Sequence, residues 1–108
     1  MSVIMMLQVD VDPKTFEEYA AANPDRMKGI SDRAVGRGLI AHRFLGNDES
    51  GKTMVVDEWE KAEDFMAFFE EVGPDVQALM GDMGVRSEPS PPAFWRVLES
   101  QDKQGWES

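Results

Sequence analysis

Between Val3 and Val11 every odd position is apolar, namely Val3, Met5, Leu7, Val9 and Val11. A period of two argues a β-strand with one face against a core. Ile4 and Met6, on the even positions, are apolar as well, so part of the strand's second face also calls for cover. Asp12-Pro13 follows at once, joining a helix-capping side chain to a proline whose missing N–H costs nothing at the first helical position. A strand feeding straight into a helix confines the chain to mixed architectures, in which a sheet buries one face under helices.

Phe16, Tyr19, Ala20 and Ala22 carry that helix, and Asn23-Pro24 repeats the cap-and-proline signal. This predicts a break or kink before Met27, Ile30 and Ala34 resume the apolar stripe. Gly36 and Gly38 are expected to end the stripe by taking the left-handed conformation. Leu39 to Leu45 and Thr53 to Trp59 read as strands joined by the turn cluster Asn47-Asp48-Glu49-Ser50-Gly51. Glu60 to Glu71 reads as a second long helix, with Ala62, Phe65, Met66, Phe68, Phe69 and Val72 at helical spacing. Gly73-Pro74 predicts an interruption, after which Asp75 to Met83 forms a short extra helix closed by Gly84. A proline-rich loop through Pro89, Pro91 and Pro92 leads to a last strand, Ala93 to Leu98.

The order strand, helix, strand, strand, helix, strand is the ferredoxin-like βαββαβ arrangement of the α+β class. It predicts a four-stranded antiparallel sheet in the order 4-1-3-2, with both main helices and the short extra helix on one face. The 108 residues suit one domain, placed at residues 1–99, with 100–108 a polar tail containing an isolated Trp106. On the face away from the helices, Ile4, Met6, Met54, Val56, Phe94 and Leu98 would form an apolar patch. A second copy packed sheet to sheet covers such a patch most economically, so a homodimer is expected.

Eleven Lys and Arg against 21 Asp and Glu leave a formal charge of −10, which repels phosphate backbones and anionic lipid headgroups. Nucleic acid and membrane are therefore not expected as partners. No apolar run reaches the ~20 residues of a membrane span. The stretch from Val3 to Val9 lacks the basic flank and cleavage site of a secretory signal, so a cytoplasmic location is expected. The absence of Cys excludes disulfides, thiolate metal sites and cysteine nucleophiles, and a single His excludes a multi-histidine metal site within one chain. The carboxylates at Glu63, Asp64, Glu70 and Glu71 follow an outer helix face and read as solvated surface, not metal ligands. Neither a phosphate-binding glycine loop nor a nucleophile elbow is present, and no cofactor or metal site is expected.

Three segments carry a resemblance: Val9-Asp10-Val11-Asp12-Pro13 leading into the first helix, Gly38-Leu39-Ile40-Ala41-His42 opening the hairpin, and Asp57-Glu58-Trp59-Glu60-Lys61-Ala62-Glu63-Asp64-Phe65. Over residues 1–99 the chain resembles the dimeric α+β barrel superfamily, in particular its antibiotic-biosynthesis-monooxygenase-like group. The resemblance implies a dimer whose sheets form a shared barrel, each subunit keeping a pocket between helices and sheet for a small, often aromatic, ligand. It also implies a choice of activities, from cofactor-independent oxygenases to isomerases, cyclases and haem-degrading enzymes. At the positions matching the Asn, Trp and His of the haem-degrading members stand Leu7, Trp59 and Phe68 or Phe69. Haem degradation is disfavoured, because neither the amide nor the axial imidazole is there.

Within that frame His42 is the candidate catalytic base, since imidazole titrates where a phenol or enol is to be deprotonated near neutral pH. The bland alternative is a strand histidine at a surface or interface. By strand parity His42 groups with Ile40 and Phe44 and opposes Arg43, unless a bulge intervenes. Met5, Leu7, Tyr19, Trp59 and Trp95 are the candidate pocket lining; core is the commoner role for both tryptophans, as is a rim position with its hydroxyl in water for Tyr19. Arg96 interrupts the last strand and is expected to pair with Asp10 or Glu58. Two functions follow. One is a cofactor-independent monooxygenase-like or isomerase-like enzyme acting on a small aromatic or polyketide-like compound. The alternative is a non-catalytic homodimeric small-ligand-binding or accessory protein.

Overall fold

The computed structural model describes residues 2–85 and 87–105; Trp106 lies outside them. The elements follow in the order β1 (Val3–Val9), α1 (Pro13–Ala22), α2 (Pro24–Val35), β2 (Leu39–Asn47), β3 (Lys52–Trp59), α3 (Ala62–Asp82) and β4 (Ala93–Arg96). The four strands make one antiparallel sheet in the order β2-β3-β1-β4, the expected order read from the opposite edge. The fold is ferredoxin-like. No helix among the described residues is long and apolar enough to cross a membrane.

The turn chemistry accounts for most boundaries. The Asp12 carboxylate accepts the Lys14 backbone N–H at 3.1 Å, with Pro13 at the first helical position. Asn23 leaves the helical region at φ −132° and ψ 53°, so the predicted break is complete and α1 and α2 are separate helices. Gly36 departs from expectation. It stays right-handed at φ −66°, and Gly38 alone, at φ 116°, takes the positive φ that frees the chain to enter β2. In the β2–β3 turn Gly51 sits at φ 70° and its N–H donates to the Asn47 carbonyl at 2.9 Å.

The expected interruption at Gly73-Pro74 is not there. Helix α3 runs unbroken for 21 residues with Pro74 inside it, so the short extra helix is the C-terminal half of a longer one. Pro74 has no N–H for the carbonyl four residues back, which costs one hydrogen bond. The stripe of buried Phe65, Phe68, Val72 and Leu79, with Val76 partly buried between them, continues in phase through the proline. Burial of Val76, Leu79 and their neighbours outweighs the lost bond, at ~1.5–3 kcal/mol for each large side chain removed from water.

Cross-strand register sorts the sheet into two faces. Met5, Leu7 and Val9 of β1 lie opposite Asp57, Val55 and Thr53 of β3, and all six point at the helices. They join Trp59, Ala34, Phe65, Phe68 and Val72 in or beside the core. On β2 the register shifts between Leu39 and Ala41, and this bulge inserts one residue. Leu39 therefore packs against the core while Ile40 is exposed, so His42 and Phe44 share their face with Leu39, not with Ile40. On β4 the expected outward residue also changes. Phe94 lies opposite Met5 and packs inward, Trp95 lies opposite Ile4 and faces outward, and Leu98 falls beyond the end of the strand. The outer face thus carries Ile4, Met6, Met54, Val56 and Trp95.

Candidate functional site

One row across the inner face holds His42, Asp57, Met5 and Phe94 on four neighbouring strands. Between this face and the three helices lies a cavity of about 270 Å³. Its floor is Met5, Leu7, Val9, Phe44 and Val55; its roof is Phe16 from α1, Met27, Ile30 and Ala34 from α2, and Phe65, Phe68, Phe69, Val76 and Met80 from α3. Helix α1 is brought down onto the sheet edge at Gly46, where a Cβ would stand 2.7 Å from the Pro13 side chain. That close approach sets the Phe16 ring 4.5 Å from Phe44 and closes the cavity at that end.

The polar groups around the cavity are nearly all committed elsewhere. Thr53 Oγ1 donates to the Val11 carbonyl at 2.8 Å, Ser31 Oγ donates to the Lys28 carbonyl at 3.1 Å, and Lys28 Nζ pairs with Asp32 at 2.7 Å on the exterior. Asp57 is 6% exposed and both its oxygens are used: Oδ2 accepts the Trp59 indole Nε1–H at 3.1 Å, and Oδ1 lies 3.0 Å from His42 Nδ1. A carboxylate in this position only accepts, so in the neutral ring the contact favours the imidazole proton on Nδ1 and the lone pair on Nε2. Nε2 has no protein partner among the described residues. The His42 ring packs edge-on against Phe44 at 4.7 Å and keeps 28% of its side-chain surface exposed. It therefore stands at the mouth of the cavity. An apolar chamber whose one uncommitted polar side-chain atom among the described residues is the imidazole Nε2 can bind a planar apolar molecule and accept one proton from it.

The residues singled out in the sequence separate in space. His42, Met5 and Leu7 line the cavity, as do Phe68 and Phe69. Trp59 does not. It is fully buried, with its ring against Phe65 and Phe68 at 5.7 and 5.4 Å, and it reaches the site only through Asp57. Tyr19 is likewise outside the lining: its hydroxyl accepts Arg26 Nη1–H at 2.6 Å. Arg26 also pairs with Asp82, tying α1 and α2 to the end of α3, and that carboxylate raises the Arg26 pKa above its ordinary value. Trp95 is on the other side of the sheet and 61% exposed, because strand parity gives the inward place to Phe94.

The expected pairing of Arg96 is also absent. Arg96 ends β4, is exposed, and forms no ion pair among the described residues, whereas Asp10 is held by Lys52 at 2.6 Å and Glu58 accepts from the Ser2 hydroxyl. The contact with Lys52 lowers the Asp10 pKa. Asp57 is not among the candidates that stand out in the sequence, where it belongs to the acidic cluster Asp57-Glu58-Trp59-Glu60. The signal was its parity, shared with Thr53, Val55 and Trp59 on the inward side of β3. No group of three or more potential metal ligands occurs among the described residues.

No protein-family model and no curated protein matches the sequence. Solved structures do match its fold. A dimeric ferredoxin-like protein from an uncultured marine organism superposes with a TM-score of 0.65 at 13% identity, over 94% of this chain and 92% of that one. An antibiotic biosynthesis monooxygenase gives a TM-score of 0.61 at 9% identity, over 90% and 99%. A variant of SnoaB, a cofactor-independent oxygenase from Streptomyces nogalater, gives 0.55 at 14% identity, over 94% and 98%. The chain has the fold of the antibiotic-biosynthesis-monooxygenase-like and dimeric ferredoxin-like proteins.

Proposed function

We propose that the protein is a cofactor-independent, monooxygenase-like enzyme acting on a small hydroxylated aromatic or polyketide-like compound in the cavity between helices and sheet, with His42 as the base. The observation that carries this reading is the His42–Asp57 pair set at the mouth of an otherwise apolar chamber. His42 Nε2 takes the substrate's O–H proton, and the resulting electron-rich ring carbon reacts with dioxygen. In the balanced reaction a hydroxyarene and O₂ give a quinone and water; one oxygen atom becomes the new carbonyl, the other leaves as water, and the substrate supplies all four electrons. Without dioxygen, returning the same proton to a different carbon is an isomerisation. The likeness of the fold to a cofactor-independent oxygenase supports the first course.

The active unit in this reading is a homodimer formed through the outer sheet face. Ile4, Met6, Met54 and Val56 form an apolar strip there beside the exposed Trp95, a surface that association would remove from water. The likeness of the fold to a dimeric ferredoxin-like protein supports the same assembly.

The test is native mass spectrometry of the purified protein, followed by oxygen uptake with a panel of small hydroxyarenes for the wild type and His42→Ala. The expected result is a dimer whose oxygen uptake is lost in the folded variant. Equal uptake by both proteins would remove His42 from the chemistry. Absence of uptake across the panel, with a bound apolar small molecule released on denaturation, would favour the non-catalytic binder.

A further inference from the structure

We propose that Asp57, anchored by Trp59, is a specificity-determining positioning residue. It locks His42 as a hydrogen-bond acceptor toward the cavity, so that the site takes neutral one- or two-ring compounds carrying a single acidic O–H and discriminates against their O-alkylated or carbonyl counterparts. The inference deepens the function proposed above and rests on it for its biological meaning, but the binding preference it states exists without turnover.

The argument begins with the carboxylate. Asp57 is buried with one oxygen on the Trp59 indole N–H and the other on His42 Nδ1. Trp59 is itself fully buried between Phe65 and Phe68, so the carboxylate cannot turn away. Free imidazole exchanges its proton between two nitrogens. Here the acceptor beside Nδ1 selects one tautomer and presents the Nε2 lone pair.

A ligand O–H meets that lone pair and is satisfied. A ligand that only accepts meets lone pair against lone pair and leaves its own oxygen unpaired in an apolar chamber, a penalty of the size that lets polar sites reject analogues. The size limit comes from the cavity, whose 270 Å³ lies just under the ~300–1,000 Å³ typical of sites for drug-sized ligands. The charge limit comes from its lining: among the described residues Lys28 is the one lysine or arginine there, and that side chain is paired with Asp32 and mostly exposed, so no cation of the described lining balances a carboxylate or phosphate.

The chain's single histidine makes the test direct. In protein labelled with nitrogen-15 at histidine, long-range proton–nitrogen spectra of neutral imidazole report His42 alone. The expected wild-type spectrum has the proton on Nδ1; a proton on Nε2 would overturn the proposal. The binding arm compares 2-naphthol with 2-methoxynaphthalene, similar in shape but differing in the donor, by calorimetry. Wild type is expected to prefer 2-naphthol by about tenfold, the size of one net hydrogen bond.

In Asp57→Asn the amide can keep the indole bond and donate to Nδ1, moving the imidazole proton to Nε2. The preference is then expected to vanish or reverse, and a preference that persists overturns the proposal. The wild-type spectrum and the wild-type probe ratio stand even where the variant fails to fold. Inactivity on every hydroxyarene, with the tautomer and probe preference as stated, would remove the enzymatic reading and leave this one intact.

Discussion

The two faces of the sheet solve opposite problems. On the inner face a carboxylate is buried beside an apolar chamber, and it is tolerated because it meets fixed partners: Asp57 has both His42, at the chamber's mouth, and Trp59. On the outer face no polar side chain is buried among the described residues, and an apolar strip with Trp95 is left in contact with water. A buried polar group without a partner costs ~1–3 kcal/mol, so the inner face requires partners within the chain. Exposed apolar area instead favours association with another surface. One face is completed intramolecularly, and the other leaves apolar area that association would remove from water.

The largest effect is expected where the inner face is broken at its anchor. Trp59→Ala removes the largest fully buried side chain and one partner of Asp57, and should cost about 3–5 kcal/mol in denaturant unfolding. A loss under about 1 kcal/mol would show that Trp59 does not organise the core. Next, His42→Ala should lower turnover by about 10²–10⁴-fold while circular dichroism stays native.

The outer face should respond differently. If the proposed dimer forms through this face, Trp95→Asp is expected to leave the far-ultraviolet spectrum unchanged and to weaken self-association by about 2 kcal/mol or more, read by sedimentation velocity over a dilution series. If the variant sediments as the wild type does at every concentration, Trp95 is not at an interface. Gly46→Ala would force a Cβ to within 2.7 Å of Pro13 and should cost about 1–3 kcal/mol, displacing α1 and with it Phe16 at the cavity.

The smallest effect is electrostatic. The hydrogen bond and charge of Lys52 depress the Asp10 pKa, so this pair stabilises the fold at pH above the ordinary aspartate value and loses its contribution as pH falls through the depressed one. Lys52→Met should therefore melt slightly below the wild type at pH 7, by a margin that shrinks as pH falls below the ordinary aspartate value. A difference that grows in acid would contradict that sign.

Much of this was legible in residue order. The odd-position alternation of β1, the Asp12-Pro13 start of α1, the Asn23-Pro24 break and the Asn47 to Gly51 turn all appear where local chemistry puts them. The apolar excess on the second face of β1 and β3 also predicted an apolar outer surface. The candidate site was only half legible. His42 stood out as the one imidazole, but its partner was hidden in an acidic cluster, and Trp95 was assigned to a pocket it does not reach.

By itself, then, the sequence determined the kinds and order of the elements and the apolar character of both sheet faces, because periodicity, caps and turns act over a few neighbouring residues. Tertiary structure decided which side chains meet. A bulge at Ile40 set the parity of His42, cross-strand register placed Asp57 beside it, and the inward place on β4 went to Phe94 instead of Trp95. Packing likewise carried α3 through Pro74. The physical reason is common to all four: each outcome is settled by burial and pairing between segments far apart in the chain, where a shift of one residue turns a side chain to the opposite face.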